Sequence, residues 1–405
     1  MSMDDFIDTN FNEGQAFGKY TLLKHLASGG MADIFLARLD GTDGFEKEIA
    51  IKKIKPHLTS RRDFVQGFLN EAKLAALLTH PNICQIYELG QVNDAYFIAM
   101  EYIHGRDMNR MINMSIRAAI PFPMEYALKI ASNCCEGLYY AHTKTDNKGN
   151  PLHIVHRDVT PENVIVSFSG GVKLLDFGIA KAAGNLMLND RPGEIKGKLS
   201  FMSPEQCRFK DVDHRSDLFS LGAVLYEWIT GYRLFTGDND ETIIKSVVEG
   251  KIYPPSYFKH DVPKQVEEIL MRALEKDREK RYQSAWDMQY DIDTFLSQHE
   301  FTPSNVHLSN FVKQIFREEI DQERKEMSGL AAPSPATPPP LPDSAARRRA
   351  SSGAKDVQGE ESDQQSISIR LKQTELASLS EIAQKNRVSM SDLMSEIVRM
   401  YLKYK

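Results

Sequence analysis

Five short runs in the first hundred residues alternate apolar and polar positions with a period of two: 20–27, 33–38, 48–54, 86–91 and 95–100. Each is bounded by turn-forming residues and is predicted as a strand. One stretch between them has a different period. Phe64, Phe68, Ala72, Ala75 and Leu78 recur at helical spacing, which predicts a helix over 62–78. From Pro123 onward the helical period dominates, with helices predicted over 124–142, 217–230, 263–275 and 284–297 and short strands near 163–167 and 171–175. Strands first and helices after give an α+β class with two lobes, a small β-rich N-lobe and a larger helical C-lobe.

Composition then divides the rest of the chain. Residues 1–16 read as an N-terminal tail, 17–297 as one domain and 298–327 as a charged helical extension. Residues 328–365 are rich in Pro, Ala and Ser and nearly free of large apolar side chains, so they are expected to be a disordered linker. Periodicity returns over 366–405. An apolar content of 41% and a charged content of 26% are ordinary for a globular protein. The net charge of −6 argues against a chain that coats nucleic acid or membrane along its whole length. Cys84, Cys134, Cys135 and Cys207 lack metal-ligand spacing and are expected as reduced, partly buried thiols. The acidic N-terminus has no apolar core, and no apolar run reaches membrane-spanning length. A soluble cytoplasmic protein is expected, with no membrane partner.

Several motifs along 17–297 carry chemistry. Leu26-Ala27-Ser28-Gly29-Gly30-Met31-Ala32 is a small-residue turn between two strands, where backbone N–H groups can approach phosphate oxygens. By itself the signal is weak, and an ordinary hairpin turn is the better explanation. Lys52 sits in the apolar strand Ala50-Ile51-Lys52, and Glu71 lies on the following helix, where it can pair with that lysine. His156-Arg157-Asp158-Val159-Thr160-Pro161-Glu162-Asn163 is more specific: it offers a carboxylate as proton acceptor and an amide five residues later as metal ligand. Asp176-Phe177-Gly178 adds a second metal ligand beside a flexible glycine. Ser203-Pro204-Glu205, Asp217 to Gly222 and Arg281 complete the series.

In the order and spacing of these motifs the chain resembles the protein kinase family over roughly 17–297, and within it the bacterial Hanks-type serine/threonine kinases, myxobacterial members above all. The resemblance implies the bilobal protein kinase fold, ATP and Mg²⁺ as cofactors, with Mn²⁺ as an alternative ion, and protein substrates. It implies that Leu26, Ala27, Ser28, Gly29, Gly30, Met31, Ala32, Asp33 and Ile34 cover the phosphates. Lys52, held by Glu71, contacts the α- and β-phosphates. Met100 is the gatekeeper, and Glu101 to Ile103 form the adenine hinge. Asp158 is the catalytic base, Asn163 and Asp176 hold the metal, Glu205 and Arg281 form a buried ion pair, and Asp217 braces the catalytic loop. The catalytic loop lacks the Ala-Ala-Arg type of sequence found in tyrosine kinases, which points to serine and threonine hydroxyls. Three departures stand out. Ala27 and Ala32 replace two loop glycines, Thr160 stands where the family has Lys, and Lys198 where it has Thr. We read Thr160 and Lys198 as an exchanged pair serving catalysis. The competing reading is a pseudokinase scaffold, against which stands the presence of Lys52, Glu71, Asp158 and Asp176.

The last segment has its own pattern. Ile367, Ile369 and Leu371 alternate with Ser368, Arg370 and Lys372, and two capped helices follow, the second beginning at Ser389. One strand and two helices in about forty residues bury little core alone, so pairing of two chains is expected. This β-α-α pattern resembles ribbon-helix-helix DNA-binding domains. The resemblance implies a homodimer, and Ser368, Arg370, Lys372 and Ser389 as contacts to double-stranded DNA, which would place the protein at the nucleoid. Residues 366–405 hold seven Lys/Arg against four Asp/Glu, in keeping with that reading. A tail that only pairs subunits fits the same pattern.

Overall fold

The computed structural model describes residues 12–177, 194–299 and 301–330, excluding the side chains of Asp43, Asp63, Glu71, 194–196 and 326–330. The expected linker beyond residue 330 and the expected β-α-α segment at 366–405 lie outside the described residues. The chain divides into two units, Met1–Ser334 and Pro335–Lys405, and the described residues all belong to the first.

The N-lobe is a six-stranded antiparallel sheet. Its strands are β1 (Gln15–Phe17), β2 (Tyr20–Ser28), β3 (Ala32–Asp40), β4 (Glu46–Ile54), β5 (Ile86–Val92) and β6 (Ala95–Glu101), in the order β1-β2-β3-β4-β6-β5. The period-two pattern gives each face its own core. Phe35, Ala37, Ile49, Ile51, Phe97 and Ala99 pack on one side with Phe17, Tyr20 and Leu22. The alternate positions face helix α1 (Arg62–Ala75), where Ile54 and Ile98 meet Phe64, Phe68 and Ala72. Lys52 is paired across the sheet with Ile34 and Ile98, so it shares that second face and points toward the cleft under α1.

In the C-lobe, α2 (Met108–Arg117), α3 (Met124–His142), α6 (Arg215–Thr230), α7 (Asp240–Glu249), α8 (Lys264–Ala273) and α9 (Ala285–Gln298) enclose one large core. Helix α6 is the centre. Every residue from Leu218 to Tyr226 is buried, as expected of a helix apolar on all sides. A small sheet of β7 (Gly105–Asp107), β8 (Val164–Ser167) and β9 (Val172–Leu174) carries the site loops, and two short helices, α4 (Glu194–Leu199) and α5 (Pro204–Cys207), precede α6. None of the described helices is long and apolar enough to cross a membrane. All four cysteines are free and buried, in keeping with their expected reduced state.

The extension is helical, as expected, but its packing into the core was not foreseen. It forms two helices, α10 (Asn305–Ile315) and α11 (Arg317–Leu330), and it is more than a charged appendage. Leu308, Phe311, Val312, Ile315 and Phe316 are buried in the C-lobe core. The apolar positions of α10 are diluted by polar neighbours, which hid them in the sequence.

Candidate active site

The loop expected to cover phosphates is the β2–β3 hairpin, with Ser28 opposite Asp33. Gly29 N–H closes the turn on the Ala32 carbonyl at 2.9 Å. Leu26, Ala27, Ser28, Gly29 and Met31 are exposed, so the loop is open to solvent on its outer side. Its two polar side chains are used internally. Ser28 Oγ donates to Asp33 Oδ1 at 2.6 Å, and Lys55 Nζ donates to Ser28 Oγ at 2.9 Å, with the buried Lys55 and Asp33 3.7 Å apart. Lys55 has no sequence motif of its own; only the fold brings it under the hairpin.

Behind the loop, Lys52 Nζ lies 2.8 Å from Asp176 Oδ1. Asp176 has φ +46°, a left-handed conformation that turns its carboxylate back toward the lysine. Glu71 is carried on α1, but its side chain is outside the described residues. Met100 borders a small cavity with Lys52, Ala75, Cys84, Asp176 and Phe177. Glu101 is anchored by Lys173 at 2.8 Å, and its N–H donates to the Gln85 carbonyl at 2.8 Å, which fixes the start of the expected hinge.

The expected catalytic loop, His156 to Asn163, is held by α6. Asp217, on α6, accepts the backbone N–H of Arg157 at 2.7 Å and that of His156 at 2.8 Å, and His142 Nε2 lies 2.8 Å from the same carboxylate. Burial alone would raise the Asp217 pKa, but the His142 hydrogen bond and the surrounding donors outweigh it and hold it below the usual carboxylate range. His156 is fully buried, with Nε2 2.8 Å from the Leu175 carbonyl, and burial depresses its pKa so that the ring is neutral. These anchors force Arg157 to φ +64° and present Asp158 at the top of the loop.

Around Asp158 the polar groups converge. Asn163 Nδ2 donates to the Asp158 carbonyl at 2.8 Å and to its Oδ2 at 3.1 Å. Lys198 Nζ donates to the same Oδ2 at 3.2 Å, although 40 residues separate Lys198 from Asp158 in sequence. Burial pulls the Lys198 pKa down, but the attraction of Asp158, backed by Asp176 and Glu162, outweighs it and raises the pKa. Thr160 is buried, and its Oγ1 finds no hydrogen-bond partner among the described residues. The pairing of that hydroxyl with Lys198 or Asp158 is therefore absent here. Further down, Glu205 and Arg281 meet in a bidentate pair at 2.6 and 2.8 Å.

Residues 20–291 match the family model described as "Protein kinase domain". The chain belongs to the protein kinase family. Among known members, the kinase is 43% identical over 317 residues to the tyrosine-protein kinase MasK of Myxococcus xanthus, spanning 78% of this chain and 49% of that protein. It is 33% identical to the serine/threonine-protein kinase PrkC of Bacillus subtilis, over 68% of this chain and 40% of PrkC. It thus spans half or less of the curated relatives' length. The solved kinase domain of PknI from Mycobacterium tuberculosis is 25% identical, with a TM-score of 0.52, covering 70% of this chain and 98% of that domain. Sequence reasoning missed three parts of the kinase's site: Lys55, His142, and Gln206, whose Nε2 donates to the Arg157 carbonyl at 3.0 Å. Each acts through a contact made only after folding. Ser200 and Ser203, the only hydroxyl side chains between Asp176 and Glu205, are both buried, Ser203 as the N-cap of α5.

Proposed function

We propose that this kinase transfers the γ-phosphoryl group of ATP to serine and threonine hydroxyls of proteins. The observation that carries the reading is the meeting of the Asp158 carboxylate, the Asn163 amide and the Lys198 ammonium at one point, with the Lys52–Asp176 pair beside it. Phosphoryl transfer needs little covalent help from a protein. It needs a positioned hydroxyl, a proton acceptor and cations around the phosphoryl oxygens.

Asp158 accepts the proton of the attacking hydroxyl. Lys52 binds the α- and β-phosphates, with Glu71 as its partner on α1. The hairpin from Leu26 to Ile34 covers the phosphates with its backbone, and Met100, Glu101 and Ile103 border the adenine. Asp176 and Asn163 are hard oxygen donors that suit Mg²⁺, an ion commonly bound by one or two protein groups with phosphates and water completing its shell. When bound, the ion neutralises the phosphate oxygens. Mn²⁺ is the alternative ion.

Hydroxyl specificity rests on the sequence His156 to Asn163 and on the naming of PrkC as a serine/threonine kinase. The name of MasK supports a second reading, transfer to tyrosine. Phosphoamino-acid analysis of products formed on a mixed peptide pool decides between them: phosphoserine and phosphothreonine support the first, phosphotyrosine alone the second. A scaffold without activity is the remaining alternative, favoured only if no transfer occurs with Mg²⁺ or Mn²⁺. For 366–405 we keep the ribbon-helix-helix reading. Paired strands would join two chains and present Ser368, Arg370 and Lys372 to DNA bases, with Ser389 at a phosphate. The alternating sequence supports this, and retarded migration of a DNA fragment pool, lost on Arg370→Ala, is the test.

A further inference from the structure

Helices α10 and α11 lie beyond residue 291, where the family match ends, yet they hold the strand that leaves the hinge. Strand β7 begins at Gly105, two residues after Ile103, and pairs with β8, which follows Asn163 directly. It therefore ties the adenine side of the cleft to the catalytic loop. The middle residue of β7 is Arg106, with only 9% of its side chain exposed. Its guanidinium lies 5.0 Å from the Phe168 ring and 5.5 Å from the Phe316 ring.

A cation so enclosed needs anions. Its carboxylate partners among the described residues are both on α11: Glu319 at 3.1 Å from Nε and Glu323 at 2.6 Å from Nη2. Four residues apart, the two glutamates share one helix face. The same face reaches further along the exit from the hinge. Glu319 also accepts from Arg110 at 2.8 Å, and Glu323 lies 3.4 Å from His104 Nε2.

The two helices are held by different forces. Helix α10 is anchored by buried apolar side chains, by the Ser309 hydroxyl on the Phe168 carbonyl at 2.7 Å, and by contact so close that a side chain at Gly170 would strike the Asn305 carbonyl. Among the described side chains of helix α11, 317–325, Ile320 is the buried apolar one, and the ion pairs of Glu319 and Glu323 hold the same face. The corner at Phe316 thus separates a permanent anchor from a grip that can open, because partly exposed ion pairs are weak and sensitive to salt.

We propose that α11 is a latch on the nucleotide site. Glu319 and Glu323 are positioning residues for ATP that act through Arg106. The proposal rests on the reading of Met100 to Ile103 as the adenine hinge. With α11 released, Arg106 loses its counter-ions and turns to water, and β7 no longer fixes the hinge exit.

The test uses the full chain with Glu319→Gln/Glu323→Gln. Calorimetry gives the Kd of MgADP, and steady-state assays give kcat and the peptide KM. The latch predicts a Kd weaker by about ten-fold, as expected for losing one charge-assisted contact, with kcat at saturating ATP and peptide KM nearly unchanged. It also predicts that the wild-type Kd weakens with added salt more steeply than the variant's. An unchanged Kd overturns the latch. A parallel fall in nucleotide affinity, kcat and Tm also overturns it, because that is the signature of general fold support. If the double variant does not fold, Glu323→Gln alone retains Glu319 on Arg106 and should weaken MgADP by about three-fold on the same scale; no change there refutes the proposal. Failure of the wild type to bind MgADP would strike the hinge reading itself.

Discussion

Lys198 and Thr160 pose the sharpest question at the scale of single residues. A lysine two positions after the catalytic Asp would place its cation beside the transferred phosphoryl group. Here threonine holds that position, buried and with its hydroxyl unpartnered among the described residues, while Lys198 donates to the Asp158 carboxylate. One cation near Asp158 is thus retained by a different route. Lys198→Thr should lower kcat by about 10²-fold, the usual cost of removing one group that stabilises transition-state charge. Thr160→Lys should restore part of the loss on that background while doing little alone. Steady-state kinetics of the four proteins forms a double-mutant cycle, and purely additive effects would mean that the two positions are independent. Lys52, Asp158, Asn163, Asp176, Glu205 and Arg281 were legible in the sequence because their spacing along the chain is itself the signal. Lys55 and His142 were not, because each meets its partner only after distant strands and helices pack.

Between elements, the Glu205–Arg281 pair joins α5 to the segment after α8. Arg281 is fully buried and also donates to the Glu275, Arg215 and Lys276 carbonyls. Arg281→Met should cost about 3–5 kcal/mol in urea unfolding, because it leaves a buried carboxylate without its counter-ion. Adding Glu205→Gln should recover part of that. Burial raises the Glu205 pKa, but the Arg281 contacts outweigh it and leave it depressed. A depressed carboxylate contributes stability that is present above its unfolded pKa and lost as pH falls through the folded value. Asp217 adds to this in the same direction, as does the neutral, buried His156 below about pH 6.5. Stability should therefore fall on acidification, and Arg281→Met should flatten the part lying below the ordinary carboxylate range; an unaltered acid limb would contradict the assignment. The five N-lobe strands and the long C-lobe helices followed from periodicity. Helices α2, α4, α5 and α7 and strands β1 and β7 escaped it, since short elements and a Met- and Asn-rich helix carry weak patterns that tertiary contacts complete.

For the whole molecule, the sequence marked a kinase domain, an extension, a linker and a C-terminal segment, but gave no sign that α10 completes the C-lobe core. That came from packing over long sequence separations, such as Phe311 against Phe122 and Tyr126. If residues 366–405 pair two chains, light scattering should give a dimer for the full chain and a monomer for a chain ending at Gln365. A truncated chain that stays dimeric at low concentration would move the pairing surface elsewhere. The kinetic expectations presuppose a working phosphotransferase. Its most direct test is transfer of labelled phosphate from ATP to a basic peptide pool by the wild type and by Asp158→Asn, with Mg²⁺ present. The variant keeps the shape of the loop and removes the proton acceptor. Wild-type transfer cut by at least about 100-fold in Asp158→Asn is the predicted result, and near-normal transfer by the variant would contradict it.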